Sequence, residues 1–390
     1  MVTGGRPARI LYIQYVNPAA LPPLEHSSRL LADAGWQVLF FGIRLDGGAD
    51  NLRLPFHPGI QVRQLPPCRS RRLIKVHYVW FCLMTLAVTL WWRPTWVYAS
   101  DVLACPVALL LSLVLRVQLV YHEHDSPSLG PSSVFVRLCL AARKMIGRRA
   151  RLCILPNRER ARLFTQAVGP HGPVLHVPNY PRRDEVAVPR RERAADALHL
   201  YYHGSIVPAR LPLTVVQALN LLPAGVRLTA VGYETAGHPG YIAELRTEAA
   251  RVGVHARVQL LGPMPRRDLL PYSLESDVGI ALMPMSSSDL NMNEMAGASN
   301  KPFDYLACGL ALLVADLSDW RAWYVEPGYG LACNPDDPLS IAHALRWFLE
   351  HPTELRTMGE RGRQKILTTW NYELAFAPAV EHLLRKPASA

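Results

Sequence analysis

Short apolar runs alternate with helical stretches along most of the chain. In the first half, runs of strand length occupy residues 10–15, 37–42, 96–100 and 118–122. Between them lie a stretch with helical spacing over 25–34, closed by Gly35, and an apolar stretch over 102–115. Strands that alternate with helices in this way predict right-handed βαβ units and a doubly wound parallel sheet.

The second half repeats this alternation. Strands are predicted at 198–203, 226–231, 258–261, 277–283 and 311–315. Helices are predicted at 213–222, at 241–252, and at about 339–351 with further helix after Pro352. The segment 179–194 is rich in Pro and charge, which suits a linker. We therefore predict an α/β protein of two Rossmann-like doubly wound domains, 1–185 and 186–390, facing a ligand cleft at the carboxyl ends of the strands.

The segment 76–92 is apolar for 17 residues and contains one His and no charge. That length is at the lower edge of what spans a bilayer. Because Pro94 and a strand follow at once, we expect a core helix of the sheet instead. Basic residues precede the segment and tryptophans lie within it, so contact with a membrane surface stays open: Arg69, Arg71, Arg72, Lys75, Trp80, Trp91 and Trp92.

Composition indicates a globular protein with more than one hydrophobic core. The chain has 390 residues, of which 50% are apolar and 19% are charged. The 7 cysteines are scattered and form no CxxC pair, so neither a zinc site nor a disulfide framework is expected. The first residues carry no long apolar run before a cleavage site, so we expect a cytoplasmic protein.

Charge is distributed unequally between the halves. Residues 1–195 have a net charge of +15, and residues 196–390 a net charge of −4. Basic residues cluster at 69–75, 143–151 and 158–162. Such a half suits an anionic partner, either a membrane surface or an acceptor that carries pyrophosphate, although a basic surface that aids solubility has the same composition. Nucleic acid is not expected, because no nucleic-acid-binding motif accompanies the charge.

The segment SNKPFDYLACGLALLVAD (299–316) predicts a short helix followed by a strand. Pro302 is tolerated in the first turn of a helix because its missing N–H would have had no partner there. The backbone N–H groups of Asn300 and Lys301, and the charge of Lys301, would face an anion. Asp304, one turn later, could accept hydrogen bonds from a vicinal diol such as a ribose. An ordinary capped helix with Lys301 and Asp304 in solvent is the alternative.

This segment resembles the "nKxxEYmaxGxPVvxxd" motif of family 4 glycosyltransferases, the retaining glycogen-synthase-like group with the GT-B fold. Three further stretches resemble that family in the same order: WVYASDVLACPVALLLSLVLRVQLVYHEHD (96–125), YYHGSIVPARLPLTVVQAL (201–219) and VQLLGPMPRRDLLPYSLESDVGIALMP (258–284). Trp370 matches a Trp often found where the last helix, here about 366–386, packs back toward the first domain. The resemblance implies an acceptor-binding first domain and a second domain that binds a nucleotide sugar.

The resemblance also implies roles for residues at the matching positions. Asp304 stands where the family places the Glu that binds the nucleotide ribose, and Arg210 stands at the Lys of the phosphate turn. Ser205 replaces the Arg of that turn. Ala296 replaces the first of two glutamates, which Glu294 or Asp289 would have to substitute. The donor-binding residues expected on this basis are Gly204, Ser205, Asn300, Asp304 and Glu294.

The cluster His122–Asp125 follows a predicted strand, where α/β proteins place ligands. Four adjacent residues in extended backbone point to alternating sides and rarely chelate one metal. We expect His124 to hydrogen-bond the transferred sugar or a donor phosphate, and Asp125 and Asp101 to bind the acceptor. A cap at a strand end is the alternative. No DxD motif is present, so no obligatory metal or other cofactor is expected.

These features predict a glycosyltransferase whose catalytic residues are His124, Arg210 and Lys301. The donor would be a UDP- or GDP-linked sugar, transferred with retention to a glycan, lipid-linked or small-molecule acceptor. Location at the inner face of a membrane is expected from the basic first half. A catalytically inactive scaffold of the same fold is the alternative from another class. An NAD-dependent oxidoreductase lacks support because no GxGxxG follows the first strand.

Overall fold

The computed structural model describes residues 7–44, 52–70, 72–127, 133–186, 197–235 and 237–384. The chain divides into two compact units. The first comprises Met1–Asn179 and Tyr372–Ala390, and the second comprises Tyr180–Asn371. The boundary expected at 185/186 therefore lies six residues inside the second unit. Much of the predicted linker, from 187 onward, lies outside the described residues.

The first unit is built on a parallel sheet with the strand order β3-β2-β1-β4-β5-β6-β7. Its strands are β1 (Arg9–Ile13), β2 (Gln37–Ile43), β3 (Ile60–Leu65), β4 (Trp96–Ser100), β5 (Gln118–His122), β6 (Leu152–Leu155) and β7 (Val174–His176). β1 pairs with both β2 and β4. The chain therefore reverses its winding direction at β1, as a doubly wound sheet does.

The helices of the first unit up to the domain boundary are α1 (Pro22–Asp33), α2 (Ile74–Trp92), α3 (Cys105–Val114), α4 (Val134–Arg149) and α5 (Arg158–Val168). The inward side chains of α2, α3 and α4 share one apolar core with one face of the sheet. The inward side chains of α1 pack on the opposite face. Each face of the sheet is therefore covered, as a fully parallel sheet requires.

Three strands of this sheet were not predicted from the sequence, and each omission has a physical reason. β3 (IQVRQL) is an edge strand whose residues are largely exposed, so it lacks an apolar run. β6 and β7 have only 4 and 3 residues, too few for a periodic signal. The first strand ends at Ile13, two residues before the predicted end at Tyr15.

The second unit has a parallel sheet with the strand order β10-β9-β8-β11-β12-β13. Its strands are β8 (Leu198–Ser205), β9 (Val226–Tyr233), β10 (Val258–Leu261), β11 (Val278–Ala281), β12 (Ala311–Ala315) and β13 (Gly330–Cys333). Its helices are α6 (Leu213–Asn220), α7 (Tyr241–Arg251), α8 (Arg266–Leu274), α9 (Leu290–Asn293), α10 (Asn300–Ala307), α11 (Ser318–Trp320), α12 (Pro338–Glu350) and α13 (Pro352–Thr368). The winding reverses at β8, which pairs with both β9 and β11.

The chain enters and leaves the second unit at neighbouring points. The ring of Tyr180, the first residue of the unit, stacks on Trp370 with centroids 6.0 Å apart. Trp370 also packs against the rings of Phe303 and Tyr329. Two residues after Trp370 the chain starts α14 (Tyr372–Leu384), which belongs to the first unit and packs on α1.

Helix α2 differs from the buried helix expected at 76–92. Its sheet side is buried, with Phe81 fully inaccessible and Val88 nearly so. Its outer side is apolar and exposed, so only 28% of its most apolar window is buried. Among the described residues, α2 is the one helix long and apolar enough to cross a membrane by length and composition. The prediction of a core helix is therefore wrong for the outer half of its surface.

Candidate functional site

The carboxyl end of β8 lies at the point where the second sheet reverses its winding. Doubly wound sheets form their ligand crevice at this place. β8 ends in Gly204 and Ser205, and α10 begins close by with Asn300 and Lys301. The structure thus brings together three residues expected to bind the donor, Gly204, Ser205 and Asn300, and the expected catalytic residue Lys301.

Gly204 and Lys301 are in close contact because Gly204 has no side chain. A Cβ placed on Gly204 would lie 3.0 Å from Cε and 3.2 Å from Nζ of Lys301. Gly204 also has a φ of +114°, a backbone conformation that residues with a side chain rarely adopt. The turn therefore presents bare backbone beside the ammonium group.

The ammonium group of Lys301 lies in an unfavourable electrostatic environment. Burial lowers the pKa of Lys301 to about 7, with a further contribution from the positive charge of Arg210, and Asp304 offsets this only in part. The Nζ atom lies 5.5 Å from the ring centroid of Tyr202, which supplies a weak cation–π contact. An anion bound beside Lys301 would stabilise its charged form, which burial and the neighbouring Arg210 disfavour.

Arg210 lies in the loop that follows β8. Its backbone N–H donates to the carbonyl of Val207, and an Nη atom lies 3.2 Å from Sδ of Met283. Thioether sulfur is a weak acceptor, so this contact contributes to the orientation of the guanidinium. Met283 follows β11, and the two strands of the switch point therefore both contribute to the position of Arg210.

Asn300 is the first residue of α10. Its Oδ1 atom is buried and accepts no hydrogen bond from any residue that the structure describes. The preceding residue, Ser299, makes no side-chain cap, so it does not satisfy the first N–H groups of the helix. A buried acceptor and a helix N-terminus beside Lys301 suit a ligand that has both hydroxyl and anionic groups.

The carboxylate of Asp304 is already paired with side chains of the protein. The sequence had suggested a carboxylate that faces either a ligand or solvent. Its two carboxylate oxygens accept from both Nη atoms of Arg266, at 2.6 and 2.8 Å. One of them also lies 3.2 Å from Nε2 of His203. Burial alone would raise the pKa of Asp304, but Arg266 and His203 outweigh it and hold the pKa below its usual value.

Arg266 connects Asp304 to a second carboxylate. Its Nε and one Nη donate to the two oxygens of Glu185, at 2.5 and 3.3 Å. Glu185 lies at the predicted domain boundary, yet it belongs to the second unit. Arg266, His203 and Glu185 were not predicted as site residues from the sequence. Arg266 lies in the first turn of α8, within the stretch 258–284 that resembles the family, and this position could have indicated a role for it.

The loop before α10 contains the acids considered as replacements at Ala296. Asp289 caps α9 by accepting from the backbone N–H of Asn291 at 2.9 Å. Glu294 ends α9 and its backbone N–H donates to Leu290, while Ala296 is buried two residues later. The cap gives Asp289 a structural role, and Glu294 stays a prediction for the donor.

In the first unit, the side chains of 122–124 alternate between two environments. Glu123 points into the core, where Arg143 of α4 binds both its oxygens, at 2.5 and 2.9 Å. Tyr121 and Ser126 also donate to Glu123. The rings of His122 and His124 lie together with centroids 3.9 Å apart. The cluster thus provides one buried ion pair and one imidazole pair.

Asp101 positions the loop that carries His124. Its Oδ1 accepts the backbone N–H of His124 at 2.7 Å, and its own N–H donates to the carbonyl of His122. Its φ is +62°, a strained conformation for a residue with a side chain. Burial raises the pKa of Asp101 to about 8. Asp125 lies at the exposed end of the loop, with 77% of its side chain accessible.

His124 has a buried ring, and burial lowers its pKa to about 3. Neither ring nitrogen has a hydrogen-bond partner within the described ranges. His122, by contrast, is held by the hydroxyl of Tyr98, 2.7 Å from its Nδ1. A neutral imidazole without partners is costly to bury, and such groups call for a functional explanation.

Metal chelation finds no geometric support in this part of the chain. Across the described residues, no group of three or more His, Cys, Asp or Glu side chains is arranged to hold a metal ion. The carboxylate of Glu123 points away from the two imidazoles of His122 and His124, because adjacent residues in extended backbone point to opposite sides. These three side chains therefore do not converge on one point.

A family model described as glycosyl transferase-like matches residues 217–377. The match starts in α6 and covers α10 and most of the second unit. No curated protein matches the sequence. Most of the second unit is therefore similar to a glycosyl transferase-like domain.

Solved structures resemble almost the whole chain. Sucrose-phosphate synthase from Thermosynechococcus elongatus is 18% identical, with a TM-score of 0.69 over 96% of this chain and 98% of that one. HepE of Anabaena, in complex with UDP-glucose, is 17% identical, with a TM-score of 0.70 over 96% and 99%. WaaG, a glycosyltransferase involved in lipopolysaccharide biosynthesis, is 13% identical, with a TM-score of 0.68 over 96% and 100%. These likenesses confirm the predicted fold class, two parallel-sheet α/β domains of the GT-B kind.

Gly204→Ala should disturb the contact between the turn and Lys301. The new Cβ would need the lysine stem to move, and the positive φ adds strain of about 1 kcal/mol or more. We expect nucleotide affinity to fall at least about tenfold, measured by calorimetry. Gly262→Ala is the matched control, because a Cβ there meets nothing within 4 Å. Equal affinity in the two variants would contradict this role of Gly204.

Arg266→Ala should lower the free energy of unfolding by about 3 kcal/mol, because it leaves two partly buried carboxylates without their cation. Arg267→Ala is the adjacent control. Its side chain is 86% exposed, so we expect a change within about 0.5 kcal/mol. Urea unfolding followed by tryptophan fluorescence measures both. A loss of less than 1 kcal/mol in Arg266→Ala would show that the network does not stabilise the unit.

Proposed function

We propose that this protein is a glycosyltransferase that transfers a sugar from a nucleoside diphosphate donor. The donor's diphosphate binds at the turn Gly204–Ser205, between Lys301 and Arg210. One observation carries this assignment: Lys301 lies against the bare backbone of Gly204 at the winding reversal of the sheet, and the charge of Arg210 lowers its pKa. The glycosyl transferase-like match over residues 217–377 supports it.

The chemistry follows from the charge that develops during transfer. When the bond between the sugar and the diphosphate breaks, negative charge grows on the leaving phosphate. Lys301, Arg210 and the backbone N–H groups at the start of α10 are held in place before the reaction, so they stabilise that charge without reorganisation. Asn300 Oδ1 is a buried acceptor that suits a hydroxyl of the donor.

Finer assignments rest on the resemblance to family 4 glycosyltransferases. We assign retention at the anomeric carbon and a UDP- or GDP-linked donor without an obligatory metal. UDP-glucose is the first donor to test, since the similar HepE structure contains it. Asp304 binds the ribose through the lone pairs that Arg266 and His203 leave, and Glu294 contacts the donor sugar.

The first unit binds the acceptor in this proposal. His124 supplies a neutral imidazole that hydrogen-bonds a substrate hydroxyl, because both its ring nitrogens are buried without partners in the described structure. Asp101 acts by positioning the His124 backbone, and the exposed Asp125 meets the acceptor. The acceptor is a glycan, a lipid-linked sugar or a small molecule.

Turnover on a panel of nucleotide sugars tests the proposal. The pure protein is incubated with UDP- and GDP-linked sugars, and release of the nucleotide is followed with and without candidate acceptors. We expect release with one donor, abolished in the double variant Lys301→Ala with Arg210→Ala. Saturable nucleotide binding without release from any donor would favour the inactive scaffold, and absence of both would overturn the proposal.

Lys301→Ala and Arg210→Ala should each weaken UDP binding by about 1.5–3 kcal/mol, the scale of a charge-assisted hydrogen bond. Arg267→Ala provides a control that removes an exposed charge from the same unit. Calorimetry measures all three affinities at constant salt. If both site variants bind UDP as the control does, the diphosphate does not bind at this turn.

UDP affinity should fall as the pH rises above 7. In the free protein Lys301 has a pKa of about 7, so it is mostly neutral at pH 8.5, while a bound diphosphate raises that pKa. Binding therefore takes up a proton, and affinity falls by up to about tenfold per pH unit between the two pKa values. His203 stays neutral here because burial lowers its pKa further.

Calorimetry in buffers of different ionisation enthalpy, between pH 7.5 and 9, measures this proton uptake. Lys301→Arg is the control, since a guanidinium stays protonated throughout this range. We expect the pH dependence to disappear in Lys301→Arg. A dependence that persists in that variant would assign the proton to another group.

His124→Leu should separate stability from activity. Replacing a buried imidazole that has no partners by an apolar side chain should leave the unfolding midpoint unchanged or raise it. Turnover should fall by about tenfold or more, while UDP affinity stays unchanged. Steady-state kinetics and thermal unfolding measure the two effects. Full activity in a stable His124→Leu protein would mean that His124 does not contact substrate.

A further inference from the structure

The outer faces of α2, α3 and α4 form one apolar surface on the first unit. α3 packs against both neighbours, and the inward residues of all three helices share one core, so their outward residues lie on the same side of the sheet. The large apolar side chains exposed there are Ile74, Val76, Val79, Trp80, Leu83, Met84, Leu90, Trp91, Leu110, Leu113, Val114, Val134, Val136, Leu138 and Met145. Contiguous exposed apolar surface of this kind marks an interaction site.

The charged side chains of these three helices are all basic. The sequences of α2, α3 and α4 contain no Asp or Glu, and no acidic residue occurs between Asp50 and Asp101. Exposed basic residues lie at the start of α2 and along α4: Arg72, Lys75, Arg137, Lys144, Arg148 and Arg149. An apolar face bordered by cations is complementary to an anionic lipid surface, where the cations meet phosphates and the apolar side chains enter the acyl boundary.

We propose that the α2–α3–α4 face docks into the interfacial region of an anionic bilayer, with the three helices lying in the plane of the membrane. At 1.5 Å per residue, α2 alone offers a contact about 28 Å long. Trp80 and Trp91 are exposed on this face, and tryptophan is enriched at the lipid headgroup level. The inference goes beyond the proposed function and does not depend on it.

The structure favours docking over insertion of α2 across the bilayer. Phe81 and Val88 on the inner side of α2 belong to the core of the first unit, and Tyr78 donates its hydroxyl hydrogen to the carbonyl of Leu103. To span the bilayer, α2 would have to leave the sheet and expose that core. Its outer face can contact lipid while the core stays closed.

A second copy of the chain is a poorer occupant of the face. A symmetric dimer would place the same patch of both copies together. Lys144, Arg149 and their neighbours would then oppose each other across an interface in which α2, α3 and α4 contain no acid to pair with them.

One end of the face opens into a cavity that suits lipid phosphates. The cavity has a volume of about 840 Å³, and its lining includes Arg116 after α3, Arg148 and Arg149 at the end of α4, and Arg151. Guanidinium groups bind phosphate through paired hydrogen bonds. The anionic headgroups would therefore concentrate at this end of the face.

Vesicle flotation tests the proposal without any sugar donor. Vesicles of phosphatidylcholine alone are compared, at low and at high salt, with vesicles that contain about 30–40% phosphatidylglycerol. That fraction gives the vesicles a strong negative surface charge. We expect binding to the anionic vesicles only, reduced but not abolished by salt. Leu83→Gln removes an apolar contact, and Lys144→Glu with Arg149→Glu reverses two charges.

Each variant should lower the partition coefficient by about tenfold or more. Leu339→Gln and Arg246→Glu with Arg267→Glu make the same changes on exposed residues of the second unit, and they should bind as the parent does. Circular dichroism verifies that all variants are folded. Four results would overturn the proposal: no binding to anionic vesicles, equal losses in the controls, binding unchanged by salt and by charge reversal, or a solution dimer that Leu83→Gln dissociates.

Discussion

The absence of a side chain at Gly204 is the constraint on which the candidate site depends. The lysine stem occupies the space where a Cβ would lie, and the positive φ of the turn is available to glycine at little cost. Lys301 thereby stands beside bare backbone at the winding reversal of the sheet, with a second cation, Arg210, close enough to lower its pKa.

A partly buried ion-pair network supports this arrangement one turn further along α10. Arg266 joins Asp304 to Glu185, and His203 lies against Asp304 at the end of β8. The helix that carries Lys301 is thereby attached to α8, to β8 and to the first residues of the unit. The ligand-binding cation and this network are coupled, because Asp304 raises the pKa of Lys301, one turn earlier on α10.

Much of the fold could be predicted from the sequence because buried parallel strands are continuous apolar runs. The strands at 96–100, 118–122 and 311–315 have the predicted bounds. Short and edge strands could not be predicted, since β3 is polar and β7 has three residues. At the site, adjacency in sequence revealed Asn300, Lys301 and Asp304. Arg266 and Glu185 could not be found, because their partners are distant in the chain and an ion pair leaves no periodic signal.

A crystal structure of the protein with bound UDP shows whether the diphosphate binds at the Gly204–Ser205 turn. We expect the diphosphate within hydrogen-bonding distance of Lys301 Nζ, the Arg210 guanidinium and the backbone at Gly204–Ser205, with the ribose toward Asp304. Crystals grown with Lys301→Ala protein under the same conditions should show weak nucleotide density or none at that turn. UDP bound elsewhere with full occupancy, while the turn holds only water, would show that the donor does not bind at this turn.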